Sequence, residues 1–333
     1  MDPQLSQGLS LTLVLLASFL WNTWAIALKY LDHDYPLDAF LLDVYIFSCA
    51  LMWGVGFLRE GSLLVDQLAR LWQGSPGLFF SILLVGALFS GGVRIDMGII
   101  ASIGLMLTVA VRASIVILVG TAVSMAVGGL PEGASPGLIL TAAALLALAV
   151  LIGMWAGQER EHNGAQLAVQ LDRVDWRVVG RAIAGALLIV TYAYGLSAGM
   201  RSTSHPEGLD AVAYMVLLST GSLLGALLWG GGRLTRTGQW GVWYRAPARY
   251  RWMAAACAVA HYGGNLIHAL GVPALSTAIA WPLGTAGNLW TYLWGLVFGE
   301  FKGAPRKAWA LMGLTATLFI GGAALLALGQ SGS

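Results

Sequence analysis

The chain has 333 residues, 58% of them hydrophobic and only 10% charged, with a formal net charge of +2. Soluble domains average about 25% charged residues, so a soluble enzyme of this size is excluded, and no basic cluster interleaved with aromatics offers a nucleic-acid surface. The two cysteines, Cys49 and Cys257, lie in apolar stretches and supply neither a disulfide framework nor a Cys/His metal cluster.

A membrane-crossing helix takes about 20 mainly apolar residues, and the uncharged windows 9–28, 71–93, 133–158, 182–200 and 308–333 meet that length. The opening MDPQLSQGLS has no basic region and no small-residue cleavage site, so the first apolar segment is expected to be retained as a span. With Pro, Gly and charge runs as punctuation, ten segments follow in order: 9–30, 38–58, 77–101, 105–127, 136–156, 179–199, 209–229, 251–270, 273–298 and 306–328. The stretch 252–299 holds 48 residues without Asp, Glu, Lys or Arg, too long for one crossing, and Gly271-Val272-Pro273 is its expected break. Ser102-Ile103-Gly104 is the expected turn between segments 3 and 4.

Basic residues accumulate in short cytoplasmic loops. The loops after segments 1, 3, 5, 7 and 9, with their flanks, hold 14 of the 18. Both termini are therefore expected on the non-cytoplasmic side, in a multi-pass protein of the bacterial inner membrane. Tryptophans near span ends, among them Trp72, Trp155 and Trp252, read as interfacial anchors.

The two halves share a weak pattern. Gly91-Gly92 in segment 3 corresponds to Gly263-Gly264 in segment 8, and GLPEG at 129–133 to GEFKG at 299–303. Five segments per half is odd, so the second copy enters upside down, as in secondary transporters whose sites lie between inverted repeats. The sequence thus predicts an all-α integral membrane fold of ten helices in two inverted repeats, 1–157 and 179–333, with a cytoplasmic connector at 158–178. Chance recurrence among 44 glycines is the plain alternative.

The stretch 83–127, with its GG before a polar kink, its IGL turn and the run from Ser114 to Thr121, is similar to ureide permeases. The stretch 280–303, ending WGLVFGE at Trp294, Gly295, Gly299 and Glu300, resembles the ninth-helix signature of the drug/metabolite transporter superfamily. The chain as a whole resembles that superfamily's ten-helix branch, near ureide permeases and glucose/rhamnose-type permeases. The resemblance implies a cavity lined by segments 1, 3, 4, 6, 8 and 9 and transport by alternating access. Small four-helix exporters of the superfamily carry an acid in their first helix; here that helix has Asn22 instead. There is no GxxxxGK[ST] motif, so ATP-driven transport is not suggested.

Polar side chains inside spans usually face the bundle interior. Trp21, Asn22 and Trp24 fall about 18–24 Å along segment 1 at 1.5 Å per residue. An amide between indoles suits a neutral hydroxylated or ureide solute, with helix packing as the alternative role. His261, Asn265 and His268 share one face of segment 8, lining a cavity or forming a structural ladder. Arg112 lies about 12 Å inside the cytoplasmic face and needs Asp96, Asp43 or an anionic substrate as partner. Trp281, its approximate repeat equivalent, precedes Pro282, which is expected to break segment 9. Of Tyr192 and Tyr194, as of Asn288, Trp290 and Tyr292, residues two apart cannot share a face. Arg94 and Asp96 read as a gate or interfacial pair.

The expected substrate-binding set is Trp21, Asn22, Trp24, Arg112, Tyr192, His261, Asn265, His268, Trp281 and Asn288, with His261, Asp43 and Asp96 as candidates for proton coupling. The expected function is secondary transport of a small polar neutral metabolite, a sugar or ureide, with or without proton symport. The competing expectation is export of amino acids or other anionic or zwitterionic metabolites selected by Arg112. A membrane enzyme is disfavoured, since no HExxH, paired acids or Ser/His/Asp set is present. No metal or cofactor is expected; the expected partners are the substrate and the bilayer, in a monomer or homodimer.

Overall fold

The computed structural model of the protein describes residues 5–32, 34–103, 106–130, 133–162, 176–202, 205–299 and 301–330. Among them the regular structure is entirely helical. Among the described residues, seven helices are long and apolar enough to cross a membrane: Gln7–Tyr30, Leu37–Glu60, Pro76–Ile99, Pro136–Glu159, Arg177–Gly199, Ala211–Thr237 and Arg306–Gly329.

In chain order the elements are α1 (Gln7–Thr23), continued by a 3-10 turn over Trp24–Tyr30, α2 (Leu37–Glu60), α3 (Ser62–Gly74), α4 (Pro76–Ile103), α5 (Met106–Gly128) and α6 (Pro136–His162). There follow α7 (Trp176–Gly199), α8 (Ala211–Ala226) with a π-turn at Leu227–Gly231, and the short α9 (Gly232–Thr237) and α10 (Trp240–Tyr244). Then come α11 (Ala248–Leu275), α12 (Thr277–Thr285), α13 (Asn288–Val297) and α14 (Arg306–Gln330).

Segments 4, 8 and 9 of the sequence reading are helical but fall outside the seven. Segment 4 is the helix α5, whose sequence is apolar over Met106–Gly128 apart from Arg112. In α11, two histidines and an asparagine lower the hydropathy of a 28-residue helix. Segment 9 is divided into α12 and α13.

Two expected breaks move. The chain does not turn at Gly271-Val272-Pro273: α11 continues through Pro273 to Leu275. Proline inside a helix removes one ladder bond and favours a kink, yet α11 goes on for two residues; the reversal comes at Ser276, whose φ is 67°, a left-handed conformation costing about 1–3 kcal/mol in a non-glycine residue. Likewise α12 runs through Pro282, and its ladder ends at Thr285, where Gly287 passes between Ser18 and Asn22 with no room for a side chain. The expected turn at Ser102-Ile103-Gly104 lies in part outside the described residues, as do 163–175 of the connector.

Helix α4 is the hub, packing on both α7 and α8, while α11 packs on both α1 and α2. The α4–α8 contact is a backbone approach: a Cβ on Gly86 would lie 2.8 Å from the Ser222 nitrogen, and Gly221 and Gly225 pack on the backbone of Leu83 and Ala87. Small residues let membrane helices come this close. Gly92 meets Gly185 and Ile189 of α7, and Gly264 meets Trp21 of α1. The matched positions give helix directions: α1 and α11 are antiparallel, as are α4 and α7, whereas α4 and α8 run parallel.

Candidate functional site

Trp21 and Trp24 are three apart, so they leave α1 on one face, and that face meets the polar stripe of α11. The Trp24 ring stacks on His261, with centroids 4.7 Å apart and planes 7° from parallel. Trp21 packs against His268 at 4.9 Å. The α-helix tightens to 3-10 at Trp24 itself, and such mid-helix changes often accompany hinges.

Around this axis the bundle closes with aromatic rings. Tyr192 of α7 lies 6.5 Å from Trp21 and 5.8 Å from Trp281 of α12, and Phe89 of α4 reaches both Tyr192 and His261. Tyr45 of α2 and Tyr262 complete the wall beside His261. Six helices, α1, α2, α4, α7, α11 and α12, thus converge on one cluster. The His261, Asn265 and His268 side chains all lie within it, each at most 4% exposed.

Its polar atoms divide into two kinds. Trp281 donates from Nε1 to the Val116 carbonyl at 2.9 Å, and Tyr262 donates to Ser222, which donates to the Gly86 carbonyl at 3.0 Å. Trp21 Nε1, Tyr192 Oη, His261 Nδ1, Asn265 Nδ2 and His268 Nδ1 are buried with no hydrogen-bond partner among the described residues. Each such group costs about 1–3 kcal/mol; others are scattered through the helices, but here several face one another on aromatic walls, and each unpaired buried group calls for a partner. The tautomer of His268 is fixed by its neighbour: Nε2 stands 3.2 Å from the Ala280 carbonyl, which only accepts, so Nε2 carries the proton and Nδ1 of the neutral ring is an acceptor. Trp21 and Asn265 present donors. The cluster therefore offers both hydrogen-bonding senses on aromatic walls.

The remaining predicted residues lie elsewhere or are engaged. Asn22 donates to the Ser18 carbonyl at 2.8 Å and lies against Gly287, so it serves the junction of α1 with the α12–α13 break. Arg112 forms an ion pair with Asp96, one turn from Val116. Arg94 does not pair with Asp96, because residues two apart on α4 point to different sides; it pairs with Asp38 of α2, which Arg233 also approaches at 3.4 Å. Tyr192 is buried while Tyr194 is 41% exposed, so one of that pair faces inward. The Asn288 side chain lies outside the described residues. Tyr45, whose hydroxyl is also buried without a partner, and Phe89 were not singled out from the sequence: Phe89 carries no polar group, and nothing in the spacing sets Tyr45 apart from the other tyrosines.

Asp43 belongs to a second arrangement at one end of α2 and α11. Its carboxylate accepts from Trp243 Nε1 at 2.8 Å and pairs with Arg251, which also donates to the Trp243 carbonyl at 2.7 Å and stacks on the Trp243 ring. Asp43 is 1% exposed. This triangle ties α10 across the ends of both helices, and Arg249 with Asp32 extends it. No model of a known protein family matches the chain, and no curated protein matches it.

Proposed function

We propose that this protein is a secondary active transporter that carries a small, polar, neutral metabolite of the sugar or ureide class by alternating access. The observation that carries the proposal is the set of buried, unpartnered donors and acceptors on Trp21, Tyr192, His261, Asn265 and His268, enclosed by aromatic rings where the two halves of the chain meet. Aromatic faces cover apolar ring faces and the polar atoms orient a solute. Neutrality of the substrate is supported by the ion pairs that occupy Arg112 and Asp43, and this weighs against an anionic substrate selected by Arg112. His261 is the candidate carrier of a coupled proton.

Alternating access rests on a ten-span inverted repeat, and three features support it. Exchanging the halves relates three packing pairs: α4 on α7 matches α11 on α1, α4 on α8 matches α11 on α2, and α5 on α7 matches α12 on α1. The glycines that bound the two five-residue motifs agree in conformation: Gly129 and Gly133 have φ of 74° and 77°, and Gly299 and Gly303 have 69° and 82°. The antiparallel α1–α11 and α4–α7 pairs and the parallel α4–α8 pair have the directions that ten successive crossings require. In this reading α5, α11 and α12–α13 also cross, and both termini face away from the cytoplasm.

A thermal-shift screen of the purified protein against sugars, ureides, purines and amino acids tests the substrate class. A ligand that binds only the folded protein at 100 times its Kd stabilises it by about 2.7 kcal/mol. Stabilisation by a neutral sugar or ureide supports the reading, and stabilisation by charged amino acids alone refutes it.

A further inference from the structure

Helix α3 belongs to none of the ten predicted segments, and its surroundings define what it touches. It joins α2 to α4 through single residues, Gly61 and Ser75. Both neighbours are long and apolar enough to span a membrane, so connectors this short hold α3 at a membrane boundary. It can neither cross the bilayer, at 13 residues, nor move away from it.

At 100° per residue the helix has three stripes. Leu64, Leu68 and Leu71 face the protein; Leu64 is fully buried and packs over Gly56 of α2, where Val216 of α8 also comes close. Ser62, Asp66, Arg70 and Gln73 lie opposite and are exposed. Between them runs an exposed apolar stripe of Val65, Ala69 and Trp72, with Val65 50% and Trp72 48% accessible; Leu63 alone falls outside the pattern. Trp72 meets the rings of Phe79 and Phe80 edge-on, each at 5.2 Å. Phe80 is itself 55% exposed and Leu84, one turn on, 58%. The stripe is therefore continuous with the outward apolar surface of α4.

We propose that α3 is an in-plane helix seated at the lipid headgroup and acyl boundary, with Val65, Ala69 and Trp72 in lipid and the Asp66–Arg70 stripe among headgroups. Interfacial helices have this division, and indoles favour this depth. Because Asp66 and Arg70 balance, the seating does not depend on anionic lipid. The inference stands apart from the transport reading, since it concerns the bilayer and not the substrate.

Spin labels at single cysteines along 62–73, in a background with Cys49→Ala and Cys257→Ala, test it in nanodiscs of zwitterionic lipid with and without anionic lipid. The ratio of oxygen to aqueous nickel accessibility is expected to be severalfold higher at 65, 69 and 72 than at 62, 66, 70 and 73, and unchanged by lipid charge. Photolabelling of the unmodified protein with an acyl-chain diazirine lipid is expected to modify Val65 and Trp72 and to spare Asp66 and Arg70. Nickel access at 65 and 72 equal to that at 66 and 70 overturns the proposal. Exclusion of both reagents from 65 and 72 assigns that face to a second protein surface and also overturns it, as does a ratio that follows anionic lipid content.

Discussion

Trp21 and Trp281 are inward-facing tryptophans of one cluster, yet their indole nitrogens have opposite situations, and substitution separates them. Trp21 Nε1 has no partner to lose; Trp281 Nε1 bonds the Val116 carbonyl. Trp21→Phe is expected to leave the melting temperature unchanged or higher while raising KM about tenfold, equivalent to about 1.4 kcal/mol and within the range for one hydrogen bond. Trp281→Phe is expected to lower stability by about 1 kcal/mol, read as a lower Tm. The Arg112–Asp96 pair makes a different case. Removing one partner of a buried pair costs about 3–5 kcal/mol, whereas replacing both by apolar residues of similar volume is near neutral. Arg112→Met and Asp96→Leu alone are therefore expected to lower Tm sharply and the double variant to recover most of it. A double variant as unstable as either single one contradicts the assignment. The residue types at the site were legible because polar groups in a span are conspicuous; their states were not. Nothing in the sequence distinguishes Asn22, which bonds to its own helix, from Asn265, whose amide nitrogen is unpartnered, because partner choice is set by helix packing.

At the scale of the element, the locations of apolar helices followed from charge-free length, while their breaks did not. Pro273 and Pro282 each sit inside a helix, and the chain turns instead at Ser276 and near Gly287, where close packing on α1 leaves no room for a side chain. Helix α3 was hidden because its apolar residues serve two faces and read as a connector with two charges. The α4–α8 approach predicts that Gly86→Val forces two backbones apart; overpacking of this kind costs about 1–3 kcal/mol, measurable as lost Tm, with Gly77→Val on the same helix as a tolerated control because nothing lies near its Cβ. The Asp43–Arg251–Trp243 triangle predicts local release. In Asp43→Asn, amide exchange over 238–246 is expected to accelerate at least about tenfold, corresponding to roughly 1.4 kcal/mol of local stability, with α6 and α14 unaffected. Unchanged exchange in that strap contradicts its being held by Asp43.

At the scale of the molecule, few charges carry much of the organisation. Basic residues that marked one face in the sequence, Arg233, Arg249 and Arg251 among them, meet Asp38, Asp32 and Asp43 at one end of the bundle. The glycine pairs and the two five-residue motifs suggested the proposed repeat in the sequence; the correspondence of α4–α7 with α11–α1 needed three dimensions to see. The proposed topology predicts that reporter fusions at both termini are active only on the non-cytoplasmic side. The central claim, that the cluster around Trp21 and His268 binds a neutral solute during transport, is tested most directly by uptake of labelled sugars and ureides into proteoliposomes holding the wild-type protein or Trp21→Phe, with and without a pH gradient. The account predicts saturable wild-type uptake of one such solute and a KM about tenfold higher in the variant; saturable uptake of no neutral solute, or an identical KM in the two proteins, would contradict it.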